Sequence, residues 1–171
     1  MPVPQRVRAS AAIAQRQAYR GELALRSLPR LRDLLADASG ALQVELQAGV
    51  RQGREHLQGE LQGGLKFCCQ RCERSFEWPL RIEMDLLLVH SEEEEAAALQ
   101  DAEPYWVQDD ELPLQELIED EVLLALPMLP RCESCENAVK ASAAVQEAAV
   151  EQVEERVNPF LQLQEEFKKR H

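Results

Sequence analysis

Two Cys-x-x-Cys pairs, Cys69-Gln70-Arg71-Cys72 and Cys132-Glu133-Ser134-Cys135, constrain this chain more than any other feature. Two residues between cysteines let both sulfurs of a tight turn face one cation. Two such turns supply the four thiolates of a tetrahedral structural zinc site. The pairs are separated by 59 residues, 73–131, whereas a compact zinc ribbon has about 15–20. If Cys69, Cys72, Cys132 and Cys135 share one Zn ion, a whole subdomain lies inside the clip. The other reading is two separate turns and no metal. The fifth cysteine, Cys68, is either a substitute ligand or a plain buried thiol.

A chain of 171 residues suffices for one ordinary domain. No run of about 18 apolar residues occurs, so no membrane span is expected. Arg6, Arg8, Arg16 and Arg20 have no apolar stretch behind them, so no secretory signal is expected either. The expected compartment is the cytoplasm, where cysteine pairs mean metal or redox chemistry more often than disulfides. Net charge is +4 over residues 1–40, −1 over 41–90 and −15 over 91–171, which gives −12 for the chain. Such acidity repels a phosphate backbone. Direct RNA contact is therefore disfavoured, except through the N-terminal basic segment or the Arg71/Arg74 turn. The acidic half suits a basic protein partner, or only confers solubility.

Along the chain, residues 1–17 read as a basic arm with a short Ala-rich helix near 8–14. Residues 19–25 read as extended. Leu28, Leu31, Leu34 and Leu35 recur at helical spacing before Gly40, predicting a helix over 28–37. The period then becomes two. Leu42, Val44, Leu46, Ala48 and Val50 predict a strand over 41–51, and Leu57, Leu61, Leu65 and Phe67 a second over 55–67. Gly59 and Gly63 fall on the buried face of the second strand, marking bulges or close backbone approach. Phe76 to Leu88 alternate over 75–89, with Pro79 out of register, which implies an edge or bulge there. The first Cys pair thus caps a β-hairpin.

Residues 92–98 read as a charged loop or short helix, and 105–107 as a short strand. Leu114, Leu117, Ile118, Val122 and Ala125 predict an amphipathic helix over 113–126, stopped by Pro127 and Pro130. The fold class that follows is α+β: an antiparallel sheet or partly closed barrel, helices on one side, a Cys-x-x-Cys hairpin tip and a mobile C-terminal region. The expected organisation is one domain over 1–136 with its basic arm, a linker or marginal helix over 137–157, and a helical tail over 158–171.

Three segments then fall into order: the tip Cys69-Gln70-Arg71-Cys72, the helix Ile118-Glu119-Asp120-Glu121-Val122-Leu123-Leu124-Ala125-Leu126-Pro127, and the tail Asn158-Pro159-Phe160 with its basic end. Val7-Arg8-Ala9 and Arg20-Gly21 ahead of the Leu-rich segment add to them. Together they resemble the YceD family, the bacterial large ribosomal RNA subunit accumulation proteins, from about residue 7 to 169. The resemblance implies a non-enzymatic accessory role in synthesis, processing or stability of 23S rRNA. It implies partners among pre-ribosomal large-subunit components, ribosomal proteins or processing proteins.

The residues themselves offer three function classes. In a binding module, Arg71 and Arg74 reach a phosphate from the hairpin tip while Glu119, Asp120 and Glu121 meet a basic partner; the alternative is solvated surface charge. A thiol-disulfide redox protein needs one activated thiol, yet such sites usually open a helix after a strand, and this pair joins two antiparallel runs. A hydrolase would need a defined acid–base site. His56, His90 and His171 show no i, i+4 pair, and His56 or His90 is either a zinc ligand or a strand-end residue. The expected assignment is a binding protein that is not an enzyme.

Overall fold

A computed structural model describes residues 3–100 and 102–136. The linker and tail expected over 137–171 lie outside the described residues. Two compact units divide the chain, Met1–Cys132 and Glu133–His171. The architecture below is that of the first unit; of the second, residues 133–136 are described and are helical.

The class is α+β. Five strands form one open sheet, ordered β2–β3–β4–β5–β6. They are β2 (Ala18–Ala24), β3 (Ala41–Arg51), β4 (Arg54–Cys68), β5 (Ser75–Val89) and β6 (Glu103–Trp106). The first four pair antiparallel, and β6 joins β5 in parallel over Leu86–Val89. A second, two-stranded sheet pairs β1 (Val7–Arg8) with β7 (Glu111–Leu112). Alternation fixes the sheet's two faces. Leu42, Val44, Leu46, Leu57, Leu61, Leu65, Leu80 and Met84 are buried in one core, while Phe76, Trp78 and Ile82 pack against it half-buried. Val50, expected on that face, is 52% exposed beside the turn.

The β3–β4 hairpin closes on Gln52 (φ 54) and Gly53 (φ 80), a two-residue turn that needs left-handed backbone at both positions. Such a turn makes Arg51 and Arg54 a hydrogen-bonded pair, which sets the parity of every ladder beyond it. Even-numbered residues of β5 then bond to β4, and odd-numbered ones face the opposite rim. The bond from Val107 N–H to Val89 C=O agrees with that parity. Pro79, which has no N–H to give, falls on the rim side. Among the described residues β6 covers that rim only at 86–89. Proline therefore occupies an edge position, as its place in the sequence implied.

Gly59 and Gly63 mark close approach. A Cβ on Gly59 would lie 1.9 Å from Glu45 O and 2.8 Å from Leu46 Cα, and one on Gly63 would lie 2.8 Å from Leu42 Cδ2.

The helix expected over 28–37 shortens to α2, Pro29–Arg32, after a 3-10 turn at Leu25–Ser27. Tertiary hydrogen bonding ends it. Ala36 N–H donates to Lys66 C=O at 2.7 Å, Asp37 bridges to Lys66, and the segment runs on as a cover for β4. Leu34 is left 56% exposed.

The N-terminal segment is docked rather than a loose basic arm. Helix α1 (Ala9–Ala14) buries Ala9, Ala12 and Ile13. Ser10 N–H and Oγ–H both donate to Asp110. Arg6 pairs with Glu111 and Glu116, and Arg8 with Asp110. Helix α3 (Glu92–Ala98) forms where a loop was the alternative. Ser91 Oγ accepts from Glu94 N–H, the Glu94 carboxylate accepts from His90 N–H, and four glutamates occupy the favourable first turn. Its Ala98 covers Leu87 and Val89, a small cluster on the far side of β5 from the main core.

Helix α4 (Leu114–Ala125) buries Leu114, Leu117, Ile118 and Val122. Each fully buried side chain contributes about 1.5–3 kcal/mol, far more than propensity could over twelve residues. Glu119 is buried with them at 2% exposure. Its Oε1 accepts from Leu31 N–H at 3.0 Å and its Oε2 from Arg30 Nε at 3.1 Å. Leu28, the N-cap of α2, has no side-chain acceptor, so Glu119 supplies one from across the fold. Glu119→Ala strands a buried N–H; Arg30 is half exposed, so the ion pair itself adds little. We expect a loss of about 2–3 kcal/mol by urea denaturation, and a smaller one for Glu119→Gln, which keeps an acceptor.

Candidate metal centre

The first knuckle is the tip of the β4–β5 hairpin, closed by the Cys68–Ser75 pair. Cys69 N–H donates to Arg74 C=O and Glu73 N–H to Cys69 C=O, both at 2.9 Å. The reversal places Glu73 in the left-handed region (φ 58). The second Cys pair follows α4 and the Pro127–Pro130 stretch. Gln70 N–H donates to Pro130 C=O at 2.9 Å, and Cys132 N–H to Cys69 Sγ at 3.4 Å. The approach of the second arm of the clip is thus held by backbone groups as well as by sulfur.

The sulfurs of Cys69, Cys72, Cys132 and Cys135 all lie within 4.8 Å of one another, and Cys72 and Cys132 are 3.7 Å apart. A tetrahedral site with a metal–sulfur bond of about 2.3 Å has sulfurs separated by roughly 3.8 Å. The cluster is therefore already close to the size of a four-thiolate site, and it could hold a metal ion. Among the described residues the five cysteines form no disulfide. Cys69 is the most prepared ligand. The Cys132 N–H, joined by those of Arg71 and Cys72 and opposed by burial, lowers its thiol to about 6.

The other expected site residues fall elsewhere. Arg71 and Arg74 are exposed on the first knuckle. Glu119, expected on a partner-facing surface, is instead buried and committed to Leu31 and Arg30; its position on the inner face of α4 is the reason. Asp120 is exposed and pairs with Arg30 at 2.6 Å. Glu121 is half-buried, and burial, with Glu103 and Asp120 nearby, raises its carboxyl. Cys68 is exposed rather than buried, its thiol directed to Glu73 C=O at 3.3 Å. His56 is buried against Asp85 and His90 is bonded to Glu55, so neither joins the sulfurs. A shallow cleft of about 640 Å³ on the polar face of the sheet, bordered by Arg20, Glu45, Gln58 and Glu83, contains none of the expected site residues.

Residues 57–165 match the sequence model of the family described as large ribosomal RNA subunit accumulation protein YceD. That is more than half of the chain. The chain belongs to the YceD family. The match begins within β4 and runs through both knuckles and α4, so the YceD region includes the whole clip. Comparison with curated proteins and with solved structures finds no match. YceD membership associates the chain with accumulation of large-subunit ribosomal RNA. No helix among the described residues is long and apolar enough to cross a membrane.

Proposed function

We propose that this YceD protein is a cytoplasmic accessory factor in synthesis, processing or stability of 23S rRNA, and that it acts by binding rather than catalysis. The observation that carries the reading is the convergence of four sulfurs inside the YceD-matched region. Zinc is the metal proposed: soft thiolates favour it over hard cations, and a four-thiolate shell leaves no position for an activated water. Bound there, zinc supplies structural cross-linking. Cys69 and Cys72 hold one side of the clip, Cys132 and Cys135 the other, and the N–H groups on Cys69 stabilise its thiolate.

The recognition surface proposed is the knuckle, on which Arg71 and Arg74 are exposed. Arg6, Arg8, Arg30 and Arg32 are paired with carboxylates of the fold itself, which weakens the case for the N-terminal segment as an RNA-binding arm. The chain's charge of −12 favours protein partners among pre-ribosomal large-subunit components, such as basic ribosomal or processing proteins. Exposed Asp120 is a candidate contact for them, and Glu121 lies beside it. Thiol-disulfide catalysis remains the competing class, and an insulin-reduction assay separates it.

Cells depleted of the protein are expected to lose 23S rRNA relative to 16S rRNA. Crosslinking in cells, followed by recovery of attached RNA and protein with and without RNase, identifies the contact. Unchanged 23S levels together with no large-subunit component recovered would refute the proposal.

A further inference from the structure

Resting on the metal reading, the geometry points to a covalent stand-in for the clip: we infer that a peroxide converts Cys72 and Cys132 into a disulfide that keeps the knuckles joined after the metal leaves. Cys72 and Cys132 bring their sulfurs to 3.7 Å from one another, one on each knuckle. Both are half-buried, whereas Cys69 and Cys135 are closed off from solvent. Cys69 Sγ is further held by the Cys132 N–H. Cys68, although exposed, directs its thiol to Glu73 C=O. The two half-buried sulfurs thus belong to different turns.

The chemistry balances with peroxide as the only co-reactant. The Cys72 thiolate attacks one peroxide oxygen, the O–O bond breaks, and a sulfenic acid and hydroxide form. The Cys132 thiolate then displaces a second hydroxide from that sulfur, and the S–S bond closes. Two electrons pass from the two sulfurs to the peroxide, and the metal, with two ligands gone, is released. The consequence depends on which sulfurs pair. A disulfide within either Cys-x-x-Cys would free the long segment between the knuckles. A Cys72–Cys132 bond spans 60 residues of sequence and retains the tie, which restrains the unfolded chain more than a short loop does.

The test treats reduced, zinc-loaded full-length protein with hydrogen peroxide, reads zinc with a chromogenic chelator, and maps disulfides after cleavage at Lys, Arg and Glu. Those cuts fall after Lys66, Arg71, Arg74, Arg131 and Glu133, so the peptides separate Cys72 from Cys69 and Cys132 from Cys135. Expected are release of about one zinc equivalent per chain and a Cys72–Cys132 linked peptide. Dithiothreitol plus zinc should reverse both. The Cys68→Ser variant should behave as the parent does. The oxidised form should melt on the order of 10 °C above the reduced, chelated form. Linkage within either pair, irreversible over-oxidation of Cys72, or retention of zinc with all thiols intact overturns the inference. Reduced protein that holds no zinc overturns the metal reading instead, and the peptide map of that metal-free chain still decides the pairing.

Discussion

Removing the metal from reduced protein, by a chelator or by Cys69→Ser, is expected to lower Tm by on the order of 10 °C. The loss should be partial in character. The core of Leu42, Leu57, Leu61, Leu65, Ile118 and their neighbours does not contain the knuckles, so far-UV circular dichroism should change little. What detaches is the stretch from Pro127 through the second Cys pair. Serine at position 69 offers a hard, undissociated hydroxyl in place of a soft thiolate. It also weakens the acceptor that Cys132 N–H now uses. Acid should act in the same direction. The Cys69 thiol sits at about 6, below its usual 9.0, so its contribution is complete above the ordinary thiol range. It is lost as pH falls through about 6, where protons compete with the metal. Metal analysis alongside melting curves at pH 8 and pH 5 checks both parts. Reduced protein without metal, melting identically with and without chelator, would contradict them.

Gly59→Ala should be the most damaging single methyl in the sheet, costing about 3–5 kcal/mol. The clash is with the backbone of the neighbouring strand, Glu45 O at 1.9 Å, and no rotamer change relieves it. The backbone at Gly59 also has φ +157, which L-residues rarely adopt. β3 and β4 would have to separate at the centre of their ladder, next to Leu46 and Leu61. Against a total stability of about 5–15 kcal/mol, that is a large fraction. Gly49→Ala is the matched control. Nothing lies within 4 Å of its Cβ, so the change should be neutral or stabilising by up to about 1 kcal/mol, through the unfolded chain. Urea midpoints for the two variants make the comparison, and similar midpoints would refute the steric account.

The strands were legible because their signal is local. Alternation from Leu42 to Ala48 and from Phe76 to Leu88 predicts β3 and β5 with the bounds observed. The spacing of Gly59 and Gly63 on one face likewise announced close approach. What escaped the sequence depends on distant partners. The helix after Leu28 is cut short by Lys66, and Glu119 is buried because Leu31 and Arg30 need its carboxylate 88 and 89 residues away. Nothing in a run of glutamates says which one turns inward. The cysteine spacing named the four sulfurs but could not state that they meet; that follows from α4 and Pro130 delivering the second pair to the hairpin tip. The parallel pairing of β6 was similarly invisible, since four residues carry too little pattern.

The placement of Pro79 carries a consequence for crowding inside a cell. A strand from a second copy, laid along the rim of β5 that no described strand pairs beyond 86–89, would find a missing donor in the middle of its run. Glu77, Arg81 and Glu83 offer the rim's neighbouring amides, and their charges make stacking of identical chains unfavourable. A long hairpin with an unprotected edge would otherwise be a template for fibril growth. Pro79 and its charged neighbours thus disfavour edge-to-edge pairing of a strand that stays extended.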